Sequence, residues 1–416
     1  MIRRWWPGLA GLAMTGIFIG SLMTEITLRP GYDFGIFLAA GGSVLHGLNP
    51  YAYTNLHATG FLHARAQGLL FPYLPWVAFL FAPLSVLGVV PALIVWDVIL
   101  AVVIFGVTFA WARELSIGKS WLAGLMAGLS ASAVHNYGLG QVSILCLAFV
   151  VVSLLAARRG NLPLAGALAV FAGLLKPQDA VVAPVLVLLL ALQHRELRKT
   201  LLAEAATVLA LIGLPLLAQP SLLSHWLTFE LAFAKIPNAG SIAGIGLTSI
   251  AGWFGQTETP SVKVVLDAVV IVAAVAIAVL RSTKSEAWVS RSSWVILTPL
   301  TVWLLLTPYA NQQDIVLVIP MLLLLVADAR LSILNRALIV AVAIAVSSTQ
   351  EILMPRVNMT YDINVVILAM LVAEIATIWL PSLELGFKRQ FKLIAAQYLS
   401  NAGHRNAIAS RRAQNS

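Results

Sequence analysis

The sequence predicts an all-α polytopic membrane protein of about 12 transmembrane helices. Three observations carry that fold class. Of 416 residues, 60% are hydrophobic and 10% charged, against roughly 25% charged in a soluble globular domain. Apolar runs long enough to cross a ~30 Å hydrocarbon core, about 20 residues at 1.5 Å each, recur along nearly the whole chain. Lysine and arginine gather in short clusters between those runs, so they report topology. The runs must be helices, because lipid leaves open backbone groups unsatisfied.

Taken in order, the candidate spans are 6–28, 72–88, 90–112, 121–135, 140–157, 161–176, 179–193, 200–218, 261–280, 293–308, 313–327, 333–349 and 363–380. The opening "MIRRWWPGLAGLAMTGIFIGSL" has no A-x-A-like cleavage site and its apolar stretch continues to Leu28. It reads as an uncleaved first span with Arg3 and Arg4 in the cytoplasm. If every candidate crossed, Arg158, Arg159 and "QHRELRK" (193–199) would lie outside together with the basic tail, against the positive-inside rule. The segment 72–88, "PYLPWVAFLFAPLSVLG", is short and interrupted by Pro72, Pro75 and Pro83. Reading it as a stretch that lies along or dips into the outer interface repairs the pattern. Most of the 26 lysines and arginines, among them Arg113, Lys119, Arg281, Lys284, Arg291, Arg330 and Arg336, then fall inside with both termini.

The organisation that follows is a multi-pass inner (plasma) membrane domain at 1–381 and a basic cytoplasmic tail at 382–416. A first extracytoplasmic loop at 29–89 carries interfacial helices. The tail is polar enough to stay disordered, and its charges suit anionic lipid heads. The net charge of +9 therefore does not call for nucleic acid. Cys146 is the single cysteine and sits in an apolar run, so disulfide frameworks and zinc-thiolate spacings are excluded. His46, His57 and His63 do not have metal-ligand spacing, and no metal site is read.

This topology turns the polar residues with chemical potential outward. Asp33 precedes Phe34, Phe37, Leu38 and Leu45 at helical spacing, so 34–46 reads as a short surface helix. An Asp there either caps the helix or serves as a general base, partly desolvated by its neighbours, that takes a proton from a hydroxyl. Lys176 ends the apolar run "LPLAGALAVFAGLLK" just before Pro177. It either snorkels to the surface or clamps an anion such as a lipid-linked phosphate. "HNYGLGQ" (135–141) reads as a polar break with a glycine turn. His135, Asn136 and Gln141 either hydrogen-bond sugar hydroxyls there or form a wet loop. "TPYANQQD" (307–314), with Asn311, Gln312 and Asp314, is a similar break that reads most simply as a hairpin loop. The sequon at Asn358 is a weak pattern without a glycosylating compartment.

The ordered set "YD…AGGSVLHGLNPY" (32–51), "FPYLPWVAFLFAPLSVL" (71–87), "GQVSILCLAFVVVSLLAARRGNLPLAGALAVFAGLLKPQ" (140–178) and "TPYANQQDIVLVIP" (307–320) resembles glycosyltransferase family 87. One departure is Phe71-Pro72-Tyr73-Leu74-Pro75 where the family often reads Tyr-Pro-Pro. The resemblance implies the C-type membrane glycosyltransferase fold and an inverting transferase. The sugar, mannose before arabinofuranose, would move from a polyprenyl-phosphate donor to a lipid or glycan acceptor on the extracytoplasmic face. It implies Asp33 as catalytic base and Lys176 as donor-phosphate ligand, helped by His135 or Arg356, with Asn136, Gln141, Asn311 and Gln312 as sugar or acceptor contacts. Membrane lipids are the surroundings, the lipid-linked sugar phosphate is the donor substrate, and no cofactor or metal is expected. The absence of a P-loop or Rossmann glycine fingerprint agrees with a donor that needs no nucleotide.

Two other classes compete. A transporter or flippase for an anionic or glycosylated lipid also suits about 12 spans with both ends inside, but it predicts paired halves with matching broken helices, and the sequence lacks that symmetry. A scaffolding membrane protein would leave Asp33 and Lys176 incidental.

Overall fold

The computed structural model describes residues 31–62, 70–233, 288–306 and 312–327. The expected spans at 6–28, 261–280, 333–349 and 363–380, the tail, His63, Asn311, Arg356 and the sequon lie outside the described residues, as does the side chain of Gln312. Among the described residues the chain forms helices and no strands.

The first loop supplies α1 (Phe34–Leu45), α2 (Tyr53–Ala58) and α3 (Pro75–Ser85). Proline fits the first turn of α3, where its missing N–H has no helical partner to lose. Gly88, with φ of 77°, ends that excursion and leads into α4 (Val89–Glu114). Then follow α5 (Ser120–Gly128), α6 (Ala131–Leu139), α7 (Ser143–Arg158), α8 (Leu162–Leu175), the single turn α9 (Pro177–Ala180), α10 (Val182–Gln193), α11 (Leu197–Ala218) and α12 (Leu222–Phe233). The last described elements are α13 (Trp288–Leu306), a 3₁₀ helix (Gln312–Val318) and α14 (Ile319–Ala327).

The apolar face of α1 does not lie on the surface, as expected for 34–46, but is buried in the protein. Phe34, Phe37 and Leu38 are within 1% of complete burial while Leu45 alone among the large side chains is open. The reason is close backbone packing. A Cβ added at Gly41 would come within 2.7 Å of the Ala82 nitrogen of α3, and one at Gly35 within 2.8 Å of the Phe61 carbonyl oxygen. Glycine therefore lets α1 wedge between α3 and the segment after α2. Phe37 and Phe81 then stack with ring centres 4.6 Å apart, and Trp96 of α4 closes on Phe81 at 4.7 Å. Each such side chain removed from water contributes about 1.5–3 kcal/mol.

Two described helices are long and apolar enough to cross a membrane, α4 and α11. Both show the pattern of a lipid-facing span. On α4, Ala92, Trp96, Leu100, Ile104, Thr108 and Trp111 recur every three or four residues on the buried face, while Val90, Ile94, Val98 and Val102 stand exposed. The helices between them are shorter, with 16 residues in α7 and 14 in α8. They pack on one another and on α13.

The expected span at 121–135 is broken. Ser130 accepts a hydrogen bond from the Ala133 N–H and starts α6 as a new helix. The broken helices give the bundle two unlike ends. The chain turns at Arg159–Asn161, at Lys176–Val181 and at His194–Glu196, so Lys176 and the start of α7 share one end. Arg158, Arg159, Arg195, Arg198 and Lys199 fall at the other. There Arg158 donates to Glu114 at 3.1 Å and to Ser293 at 3.2 Å, and lies 5.4 Å over the ring of Trp111. It ties α4, α7 and α13 together. The opposite end holds the polar site.

Candidate functional site

The site begins where the turn ahead of α1 meets the end of α6. The Gly31 N–H donates to the Gly138 carbonyl at 2.8 Å and the Asp33 N–H to the Leu139 carbonyl at 3.2 Å. Gly140 makes this contact possible twice over. It ends α6 with φ of 70°, a conformation that glycine adopts without the penalty of a side chain. A Cβ there would also stand 2.4 Å from the Cβ of Phe34. Trp96 pins the same residue by donating its indole N–H to the Gly140 carbonyl at 3.2 Å.

That geometry delivers Gln141 to Asp33. The Gln141 amide Nε2 donates to Asp33 Oδ2 at 2.5 Å, and its Oε1 receives the Tyr73 hydroxyl over a long 3.4 Å. Asp33 occupies the N-cap position of α1, yet its side chain makes no capping hydrogen bond. The capping reading of this carboxylate is therefore replaced by a tertiary one. Tyr73 is itself held by the Tyr51 hydroxyl, which donates to the Tyr73 carbonyl at 2.9 Å, and by the ring of Phe37 at 4.9 Å.

Lys176 lies in a second, adjoining cluster. It is the residue between α8 and α9, and the backbone on either side is fixed by tryptophans. Trp76 donates to the Leu174 carbonyl at 3.2 Å and Trp303 to the Gln178 carbonyl at 2.9 Å. The Lys176 side chain does not snorkel to a surface, being 1% exposed. Its Nζ donates to Ser143 Oγ at 2.9 Å, pairs with Asp179 Oδ2 at 3.2 Å and bonds directly to Asp314 Oδ1. Ser143 in turn donates to the same Asp314 oxygen at 2.6 Å. Asp179 and Asp314 are 0% and 1% exposed. One ammonium thus faces two carboxylates in a dry setting, where an unbalanced charge is expensive. The cluster is neutral when one carboxyl keeps its proton or a further cation approaches.

The phenol of Tyr73 feels both clusters. Burial pushes its pKa up, Lys176 opposes the rise, and Asp33, Asp314 and Asp179 add to it. Tyr73 is thus a neutral hydroxyl that contacts Gln141 and lies within the field of both groups.

The remaining expected residues fall as follows. "HNYGL" is not a wet loop but the last turns of α6, and the turn proper is Gly140–Val142. His135 is half-buried on that helix. Asn136, expected at sugar hydroxyls, is wholly buried. It spends its amide hydrogens on the Ser132 and Gln313 carbonyls, both at 2.8 Å, and so braces the 3₁₀ helix that carries Asp314. "QQD" is likewise not a hairpin loop but opens that 3₁₀ helix, with Gln313 and Asp314 buried. Gln141, expected at a sugar, donates its amide to Asp33. Among the described residues no three of His, Cys, Asp or Glu come together as metal ligands.

The sequence alone assigns no role to Tyr73, Ser143 or Asp179, and marks Asp314 only as part of a polar break. A signal did exist. Asp179 follows Lys176 by three residues, and Asp314 is the single acid between Thr307 and Pro320. A carboxylate beside an apolar span needs a cation near it.

Among the described residues the chain is all helical, presents exposed apolar faces on two helices long enough to cross a membrane, and gathers a carboxylate–lysine cluster at one end of the bundle, as a membrane-embedded protein does. A model of glycosyltransferase family 87 matches residues 71–308, more than half of the chain. The chain belongs to glycosyltransferase family 87, a family of membrane glycosyltransferases. The match contains Tyr73, Gln141, Ser143, Lys176 and Asp179, and Asp33 and Asp314 flank it on either side. No curated protein and no solved structure matches the chain.

Proposed function

We propose that this protein is an inverting glycosyltransferase that takes a sugar, mannose before arabinofuranose, from a polyprenyl-phosphate donor to a hydroxyl of a lipid or glycan acceptor. The observation that carries the reading is the Asp33 carboxylate held by Gln141 next to the Lys176 cluster, in a chain of family 87. A lipid-phosphate sugar is already activated. The enzyme has to align donor and acceptor, remove one proton and stabilise the departing phosphate.

In this reading Asp33 takes the acceptor hydroxyl proton as its oxygen attacks the anomeric carbon. The bond from that carbon to the phosphate oxygen breaks with its electron pair, and the configuration inverts in a single displacement. The leaving polyprenyl phosphate carries more negative charge than the donor did. Lys176 supplies the positive charge, with the donor phosphate taking the place of one of its two carboxylates, and His135 or Arg356 adding to it. The site end of the bundle faces away from the cytoplasm, and the termini lie inside about 12 spans. The arginine-rich opposite end supports that orientation.

The test is transfer of radiolabelled mannose or arabinofuranose from the polyprenyl-phosphate sugar to lipid extracted from the host membrane. The wild type should form product and a folded Asp33→Asn protein should form none. Normal transfer by that variant would end the role of Asp33 as base. Uptake of a lipid into vesicles without covalent product would move the protein to the carrier class.

A further inference from the structure

We infer that Gln141 is a positioning residue for Asp33, and that Tyr73 sets the orientation of Gln141. The inference rests on the reading of Asp33 as base. It starts from a donor–acceptor count. An ionised carboxylate only accepts hydrogen bonds, so the Gln141 amide must turn its NH₂ toward Asp33 Oδ2, 2.5 Å away. Its carbonyl oxygen then points to Tyr73, whose hydroxyl donates to it. Tyr73 is 8% exposed and Gln141 5%, so no solvent competes strongly for either group.

Two consequences follow for the chemistry. The hydrogen bond is made to the ionised carboxylate of Asp33 and favours that form. It fixes one carboxylate oxygen against a backbone already locked by Gly140 and Trp96, so the acceptor hydroxyl meets a carboxylate of defined direction. Gln141 is thus assigned to the proton-transfer side of the reaction rather than to sugar recognition.

The full-length protein in lipid nanodiscs tests this with two readouts. The first is the pH profile of transfer from polyprenyl-phosphate-mannose. The second is the titration midpoint of the Asp33 carboxyl by infrared difference against Asp33→Asn, which needs no substrate. Gln141→Leu should lower kcat about tenfold or more, leave the donor KM within about twofold, and raise the Asp33 midpoint by about one pH unit. Gln141→Glu should raise it further by adding a like charge, and Tyr73→Phe should act in the same direction as Gln141→Leu but less. A folded Gln141→Leu protein with an unmoved midpoint would overturn the inference. So would a loss confined to KM, which would return Gln141 to substrate binding. If the wild type transfers neither sugar, the donor reading fails on its own, and the infrared midpoints still decide the role of Gln141.

Discussion

Lys176 and Asp314, 138 residues apart in sequence, form a direct buried ion pair, and Ser143 donates to the same Asp314 oxygen. The contact joins three elements that meet at the site end of the bundle: the α8–α9 junction, the start of α7 and the 3₁₀ helix. Deleting one partner of such a pair costs more than the pair is worth, because the other charge stays buried. Lys176→Met should therefore destabilise the protein by about 3–5 kcal/mol, since it strands Asp179 and Asp314 together. Asp314→Asn should cost less, because Asp179 still balances the lysine. The double variant should melt above Lys176→Met alone. Thermal unfolding in detergent gives the order, and a Lys176→Met protein that melts with the wild type would refute the buried pairing. The same variant should also lose transfer.

Gly140 sets the register between Asp33 and Gln141, and a matched pair of glycines separates its two roles. Gly47 has φ of 67° and open space around it, whereas Gly140 has φ of 70° and the Phe34 Cβ in the way. Gly47→Ala should cost only the left-handed strain, about 1–2 kcal/mol. Gly140→Ala carries the same strain plus the displacement of α1, so it should cost more and depress transfer with it. Melting temperature and initial rate, measured on both variants, check this. Equal effects would show that Phe34 moves aside freely.

Ser130 is where the expected span at 121–135 breaks. Its hydroxyl accepts from Ala133 at 3.3 Å and donates to the Ala127 carbonyl at 2.7 Å, so it closes one helix and opens the next. Ser130→Ala should cost about 1 kcal/mol. Because α6 carries Asn136 and ends at Gly140, faster hydrogen exchange should appear in 131–141 before global unfolding. Exchange confined to 120–128 would contradict this linkage.

Local features of the fold were legible. The apolar runs at 90–112 and 200–218 became α4 and α11 with their ends displaced by a few residues, and Pro177 marked the break after Lys176. Asp33 and Lys176 drew notice because each is a lone charge in apolar company. The partners were not legible, for a physical reason. An apolar run records that a residue avoids water but not which neighbour covers it, so α1 read as a surface helix although Gly35 and Gly41 let it pack inside. Asn136 read as a sugar contact because a polar residue near a glycine turn has the same composition whether it meets a ligand or a carbonyl 177 residues away. Asp314 looked like one of several polar loop residues until the fold set it on Lys176.

The orientation of the two bundle ends can be tested at single residues. Cys146 is the chain's single cysteine and is buried, with its thiol donating to the Ala172 carbonyl at 3.6 Å, so a Cys146→Ala protein that keeps activity supplies a thiol-free background. His57, in the last turn of α2 within the first loop that also carries Asp33, is exposed, and so is Arg195 between α10 and α11. If the site end faces outward, His57→Cys in intact cells should react with a membrane-impermeant maleimide, while Arg195→Cys should react only after permeabilisation. The positive-inside count predicts that result, because Arg195, Arg198 and Lys199 share the end that holds Arg158 and Arg159. The reverse labelling pattern would put Asp33 in the cytoplasm, where the donor would have to present its sugar on the inner leaflet.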